Sequence, residues 1–508
     1  MTQTLILLSF VAYLAIMIYV GYYYGKKNTS NSAEFYLGGR QLGPLVAAMS
    51  AEASDMSSWL LMGIPGLAFI TGMADAFWTV VGLGIGTYLN WLFVTKRLRR
   101  YTIRVNAVTI PEFFSKRFHD NRNILMCISA IVILIFFVPY TASGFKAVGT
   151  LLNSLFGYEY HTSMIVGAII IVAYTVMGGF MAVSTTDLIQ SIVMTIALIV
   201  IVCFGLNLAG GMDNVVNNAE ALPGYLSLTE MRDISTNSAT PYGFLTIIST
   251  MAWGLGYFGM PHILLRFMAI KNEKDIPTSR RIATVWVFIS MFVAIFIGIV
   301  GYSVAKNGII PDYQSTSEAE STIINLAYVL AQNGVLAALV AGIVLAGILA
   351  CTMSTADSQL LTSASSFSEN ILQDVLRVKV SAKTSMLVAR LTIAVIAVIA
   401  LVLAWNPDSS IFTIVSFAWA GFGAAFGPVM LASLFWKRTT LAGAITGMVL
   451  GGVMVFVWKF GVRPLGGAWN LYELLPAFIV AAVGIIVVSL CTKEPSKEII
   501  EDFECVKE

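Results

Sequence analysis

Long apolar runs separated by short polar or charged segments organise this chain from end to end. Thirteen of them, each long enough to cross a hydrocarbon core, which takes roughly 17 to 25 residues, cover Leu5 to Tyr24, Pro44 to Ile70, Ala76 to Val94, Ile124 to Leu151, Ser163 to Phe180, Leu188 to Leu208 and Phe244 to Phe267. The others are Ile282 to Val304, Val335 to Thr355, Met386 to Trp405, Ile411 to Leu434, Ala442 to Trp458 and Leu475 to Cys491. The pattern predicts an all-α polytopic membrane protein, because a membrane barrel would show short alternating segments instead. The first run has no basic residue before it and no small-residue cleavage pattern after it, which predicts a retained helix. Between the sixth and seventh runs, the polar segment Ala209 to Tyr242 has room for a short helix.

Two runs are interrupted. The second contains "SAEASDMSSW" and Pro65, and the seventh contains "WGLGYFGMP", Trp253 to Pro261; they stand five runs apart. Broken helices at corresponding places in two halves point to an inverted-repeat transporter whose unwound backbone lines a site near the membrane midplane. Such breaks persist only where the freed backbone groups face protein, water or ligand.

Composition agrees with a membrane bundle: 57% of the 508 residues are hydrophobic and only 11% charged, against about a quarter charged in ordinary globular domains. The net charge of +2 is small and the basic residues form no stripe, so no nucleic-acid partner is expected. With the amino terminus outside, 24 of the 30 basic residues fall in cytoplasmic loops, Arg266 counted among them, as the positive-inside rule requires. The tail, 492–508, is then cytoplasmic and too short for a catalytic domain, so the bundle itself is expected to carry the function, in the plasma (inner) membrane. Five scattered cysteines without a CxxC pair, and three histidines without helical ligand spacing, suggest neither a disulfide framework nor a transition-metal centre.

Glu52 and Asp55 stand three residues apart in the broken second run, on one helical face if that segment is helical. Each costs about 2.5–3.5 kcal/mol in hydrocarbon, so both must face a cavity, an ion or a partner such as Arg40. Near the end of the ninth run, "ACTMSTADSQ" clusters the oxygens of Ser354, Thr355, Asp357 and Ser358. Such oxygens suit a hard monovalent cation, or bond back to their own helix. Trp59, Trp253 and Tyr257 offer ring faces in the breaks, and Tyr140 offers one in the fourth run, for a substrate or for helix packing alike.

These stretches, with "FYLGGRQLGP", "ASDMSSWLLMG", "YTVMGGFMAVSTTD", "WGLGYFGMPHILLRFMA" and "SFAWAGFGAAFGPV" in order along nearly the whole chain, resemble the sodium/solute symporter family. The resemblance is strongest to its proline-carrying branch. It implies a leucine-transporter-like (LeuT-like) core of two inverted five-helix repeats, 44–208 and 244–434. One extra helix at 5–24 and two at 442–491 flank that core. It further implies sodium as coupling ion, held by carbonyls of Ala53, Met56 and Cys351 and hydroxyls of Ser354 and Thr355, with Asp55 the carboxylate of sodium dependence. Ser57, Ser58, Trp59, Tyr140, Trp253, Tyr257 and Pro261 match positions lining the substrate pocket. Arg40 and Asp187 match polar positions associated with coupling.

Two departures stand out. Glu52 and Ser58 occupy places where the family has small glycines, so Glu52 is assigned to an altered ion path or coupling; Asp357 replaces a small neutral residue. In some relatives a second sodium sits near the position of Asp187, and here Asp187, Ser354, Asp357 and Ser358 are expected to form it. The expected activity is sodium-coupled import of proline by alternating access, the alternative solutes being another small amino acid, a pantothenate-like acid or a sugar acid. The chain has no selectivity-filter motif, no nucleophile and base pair, and no signalling domain, which sets aside a channel, an enzyme and a sensor.

Overall fold

Ten helices among the described residues of a computed structural model (2–27, 32–177 and 179–506) are long and apolar enough to cross a membrane. Three shorter apolar helices, Trp59–Thr71, Tyr160–Ala173 and Phe244–Gly259, fall where the sequence places its second, fifth and seventh runs. Gly178, within "YTVMGGFMAVSTTD", and the last two tail residues lie outside the described residues. Spans are numbered below as the apolar runs of the sequence.

Both expected interruptions are present. Span 2 is helical over Pro44–Asp55, leaves the helix at Met56 (φ −76°, ψ 74°), and resumes through a wide turn at Trp59–Gly63 into Ile64–Thr71. Pro65 explains the wide turn, since its ring excludes the carbonyl four residues earlier and it has no N–H to donate. Span 7 runs Phe244–Met251, tightens to 3₁₀ turns over Ala252–Gly259, becomes extended at Met260 and restarts at Pro261–Ala269. Glycines let these segments approach their neighbours closely: a Cβ on Gly256 would stand 1.9 Å from Trp419 Nε1.

Span 9 departs from the sequence expectation. It continues as one helix from Val335 to Ser365, then through wide turns to Val375, about twenty residues beyond the apolar run. Its polar stretch stays helical inside the protein because its hydroxyls bond one turn back. Thr352 donates to the Ile348 carbonyl (2.9 Å), Ser358 to Ser354 (2.8 Å), Thr362 to Ser358 (2.7 Å) and Ser366 to Thr362 (2.8 Å). Span 3 extends likewise, from Met73 to Arg104, with a wide turn at Asn90–Val94.

The segment between spans 6 and 7 holds the expected helix, Met212–Glu220, and also an antiparallel hairpin in which Glu230–Asp233 pairs with Ser238–Pro241. The tail contains a further helix, Lys497–Cys505, capped by the Ser496 hydroxyl. Phe503 buries itself beside the Arg117 guanidinium, 5.1 Å from its ring centroid, and Asp502 accepts from Arg104 at 3.0 Å. Substituting Phe503 with Ala should release this helix, at a cost within the roughly 3–5 kcal/mol of large buried aromatic truncations. The readout is faster proteolysis of the tail with transport retained.

Candidate ion and substrate site

Breaking span 2 frees carbonyls, and each must find a partner. The Asp55 carbonyl accepts from the Tyr140 hydroxyl (3.0 Å), the Trp59 indole (3.0 Å) and the Ser57 amide (2.8 Å). The Ala53 carbonyl accepts from the Ser354 hydroxyl at 2.8 Å, across a sequence separation of 301 residues. Ser354 also reaches the Cys351 carbonyl (3.0 Å), which accepts in turn from Thr355 (3.2 Å). Four of the six expected sodium ligands therefore meet at one buried junction of spans 2 and 9. All are hard oxygens, and the two hydroxyls that now donate to carbonyls could turn their lone pairs to a cation instead. Met56 lies at the break itself, its thioether accepting from Ser290 at 3.6 Å.

Asp55 does not point there. Its carboxylate turns toward span 7, where Oδ2 accepts from the Tyr257 hydroxyl at 2.6 Å and Oδ1 has no hydrogen-bond partner. Glu52 faces span 3: Oε1 accepts from the Trp91 indole at 2.9 Å and Oε2 has no partner. Arg40 joins neither acid. It sits at positive φ (57°) in the loop after span 1 and donates to the carbonyls of Met268 (2.7 Å) and Ala107 (2.6 Å) and to the Thr102 hydroxyl (3.1 Å). Burial, with the neighbouring Arg99, lowers Arg40 to about 10, so it remains a cation that ties together the chain ends of spans 3 and 7, through Ala107, Thr102 and Met268.

Arg266, counted from the sequence as a cytoplasmic-loop residue, is buried in the second helical half of span 7, Pro261–Ala269. It donates to Asp187 Oδ2 (3.1 Å), Ser50 (3.0 Å), Ser358 (2.6 Å) and the His262 carbonyl (2.9 Å). Ser50 donates to the same Asp187 oxygen at 2.6 Å, and Ser358 approaches Asp357 at 3.4 Å. The residues expected around a second sodium are thus together, with a guanidinium between them. A single arginine one turn past His262, ending an apolar run, carries the same sequence signal as a loop residue, so only packing reveals it.

The aromatic positions also converge. Trp59 and Trp253 lie 6.3 Å apart between ring centroids, on the two broken spans. Behind them stand rings that the sequence reading did not select. Tyr472 stacks on Trp253 (5.2 Å, 18°), Phe412 lies 5.2 Å from it, and Trp419 donates to the Trp253 carbonyl (2.8 Å) while meeting Tyr257 edge-on (5.1 Å). The Ser57 and Ser58 hydroxyls are buried in the break without partners, and Pro261 opens the second helical half of span 7. Ser57, Ser58, Trp59, Tyr140, Trp253, Tyr257 and Pro261 are all buried.

The model of the "Sodium:solute symporter family" matches residues 35–451. The chain belongs to that family. Relatives named "Sodium/proline symporter" from Staphylococcus aureus, strains USA300 / TCH1516 and JH9, are 38% identical to it over 513 residues, covering 100% of this chain and 96% of theirs. Among solved structures, an outward-open, substrate-bound Na+-coupled sialic acid symporter superposes with a TM-score of 0.78 at 18% identity, covering 97% of this chain and 99% of that one. Mhp1, a nucleobase-cation-symport-1 family transporter in a closed conformation, gives 0.57 at 13% identity, with 94% and 99% covered. The fold of this symporter is accordingly LeuT-like. It is a multi-pass membrane transporter and not an enzyme, and its coupling ion is sodium.

Proposed function

We propose that this symporter imports L-proline across the plasma membrane, driven by sodium and working by alternating access. The observation that carries the reading is the contact of Ser354 with the Ala53 carbonyl, where the break in one span meets the hydroxyls of another. Support for the solute comes from the full-length relatives named for proline. In this reading thirteen spans cross the membrane, with repeats at 44–208 and 244–434, the amino terminus outside and the tail in the cytoplasm. Sodium enters from outside at Ala53, Met56, Cys351, Ser354 and Thr355, fastens span 2 to span 9 and so favours the pocket that admits substrate. Coupling follows because sodium binds this state better than its competitors; equal affinity would shift nothing.

A zwitterion suits the break. The outer half of span 2 begins at Trp59 with its amino end in the break, an electropositive place for a carboxylate, beside the free Ser57 and Ser58 hydroxyls. Trp253 and Tyr257 offer faces to the ammonium and ring. Arg266 gives the Asp187 cluster its counter-charge, and the cluster serves to hold spans 2, 6, 7 and 9 together in place of a second sodium. A sodium Hill coefficient of one, unaltered by Asp357→Asn, is the expected result; a fall from two to one would restore the second sodium.

Trp253→Ala should raise the half-saturating proline concentration about tenfold, equivalent to ~1.4 kcal/mol and within the roughly 0.5–2 kcal/mol of a cation–π contact. Sodium activation should stay within about twofold of the original. Counterflow in proteoliposomes against a panel of unlabelled amino acids and organic acids tests the substrate. Proline should compete best, and preference for a sugar acid or a pantothenate-like acid would overturn it.

A further inference from the structure

The loop that joins spans 12 and 13, residues 458–473, reaches the break in span 7. Its Tyr472 packs on the Trp253 indole with ring centroids 5.2 Å apart and planes 18° from parallel, the offset stack that aromatic pairs favour. The other rings around Trp253 are more inclined: Phe412 by 35°, Trp419 by 31° and Trp59 by 36°. A near-parallel neighbour covers one face of a flat ring and fixes its plane, which leaves the opposite face for a solute.

The placement of Tyr472 is itself fixed from several sides. Its amide donates to the Ser249 hydroxyl at 2.7 Å, one helical turn before Trp253 in span 7. Its own hydroxyl donates to the Ser416 carbonyl of span 11 at 2.7 Å. The carbonyl just before it, of Leu471, accepts from the Trp458 indole at 3.2 Å. Glu473, the residue after it, is fully buried and pairs with Arg463 (2.9 Å) and Lys459 (3.5 Å) of the same loop. Buried ion pairs add little net stability; what this one fixes is the path of the loop, and with it the position of the neighbouring ring. Leu474 continues the contact: a Cβ on Gly423 of span 11 would stand 2.7 Å from its Cδ1 and 2.8 Å from Gly256 Cα in the break.

We infer that Tyr472 is a positioning residue for the substrate: it covers one face of the Trp253 indole and holds the ring so that its other face is turned to the solute. The inference rests on the proposed place of Trp253 in the proline pocket. Tyr472 acts through that ring and carries no part of the sodium junction at Ser354.

The test is the half-saturating proline concentration and the maximal rate of the full-length protein in proteoliposomes at saturating sodium. Tyr472→Leu, which fills much of the space without a flat face, should raise half-saturation about three- to tenfold, the worth of an aromatic pair. Its maximal rate should stay within about twofold of the original, the scatter of independent sites. Tyr472→Phe keeps the ring, loses only the bond to Ser416, and should restore half-saturation to within about twofold. In a Trp253→Ala background, Tyr472→Leu should add less than about twofold, because no ring remains to be held. Ser249→Ala touches no ring but frees the Tyr472 amide, and should shift half-saturation about two- to threefold in the same direction; it carries the test if Tyr472→Leu does not fold. If Trp253→Ala weakens proline while Tyr472→Leu, or Ser249→Ala in its stead, leaves half-saturation unchanged, the inference alone is overturned. The same follows if Tyr472→Leu acts by an equal factor in both backgrounds, or if Tyr472→Phe is as weak as Tyr472→Leu. A Trp253→Ala protein with unaltered half-saturation overturns the pocket assignment, and this inference with it.

Discussion

Replacing Arg266 with Met should destabilise the protein by about 3–5 kcal/mol, the penalty for removing one partner of a buried ion pair. The guanidinium is 1% exposed and makes four hydrogen bonds to spans 2, 6, 9 and its own helix. Methionine fills most of the volume but leaves Asp187 facing Asp357 with no positive charge between them. Thermal unfolding in detergent should show the loss as a lowered midpoint and poor recovery of folded protein. Adding Asp187→Asn should return a large part of the stability, since the second change removes the charge that the first left unpaired. A double variant no better than Arg266→Met would mean that packing, and not charge, is what Arg266 supplies.

Ser354→Ala should raise the sodium concentration for half-maximal uptake about 10- to 100-fold, corresponding to ~1.4–2.8 kcal/mol. The hydroxyl bridges the junction, reaching the Ala53 carbonyl of span 2 and the Cys351 carbonyl of its own helix. Its loss removes an ion ligand and also leaves the freed Ala53 carbonyl without its donor, so the penalty exceeds that of an ordinary hydrogen bond. Thr355→Ala, which removes a hydroxyl bonded only within span 9, should act in the same direction and less strongly. The proline half-saturation at saturating sodium should change little in either variant, which separates an ion ligand from a pocket residue.

How far the sequence reaches depends on what each signal has to compete with. The breaks in spans 2 and 7 were legible because proline, clustered glycine and carboxylates have no place in an uninterrupted membrane helix. The meeting of Ala53 with Ser354 was accessible only through family resemblance, because a backbone carbonyl has no sequence signal of its own. Span 9 was read too short: serine and threonine runs look like loop until one sees their hydroxyls returning to the preceding turn. Arg266 was misplaced for the related reason that a basic residue closing an apolar run is, by charge counting alone, a loop residue. Trp91 was hidden because a wide turn in span 3 decides where it points, and nothing in "YLNWLFV" marks it. Glu52 and Asp55 do not pair with Arg40, because Arg40 satisfies its donors on the Met268 and Ala107 carbonyls, which no charge pattern in the sequence marks.

The junction of spans 2 and 9 as the seat of sodium coupling is tested most directly in proteoliposomes holding the unmodified protein and labelled proline, under imposed gradients. An inward sodium gradient should drive accumulation above equilibrium, more strongly with the interior negative. A proton or potassium gradient of equal size should drive none without sodium. Equal accumulation driven by protons in sodium-free solution would contradict the account.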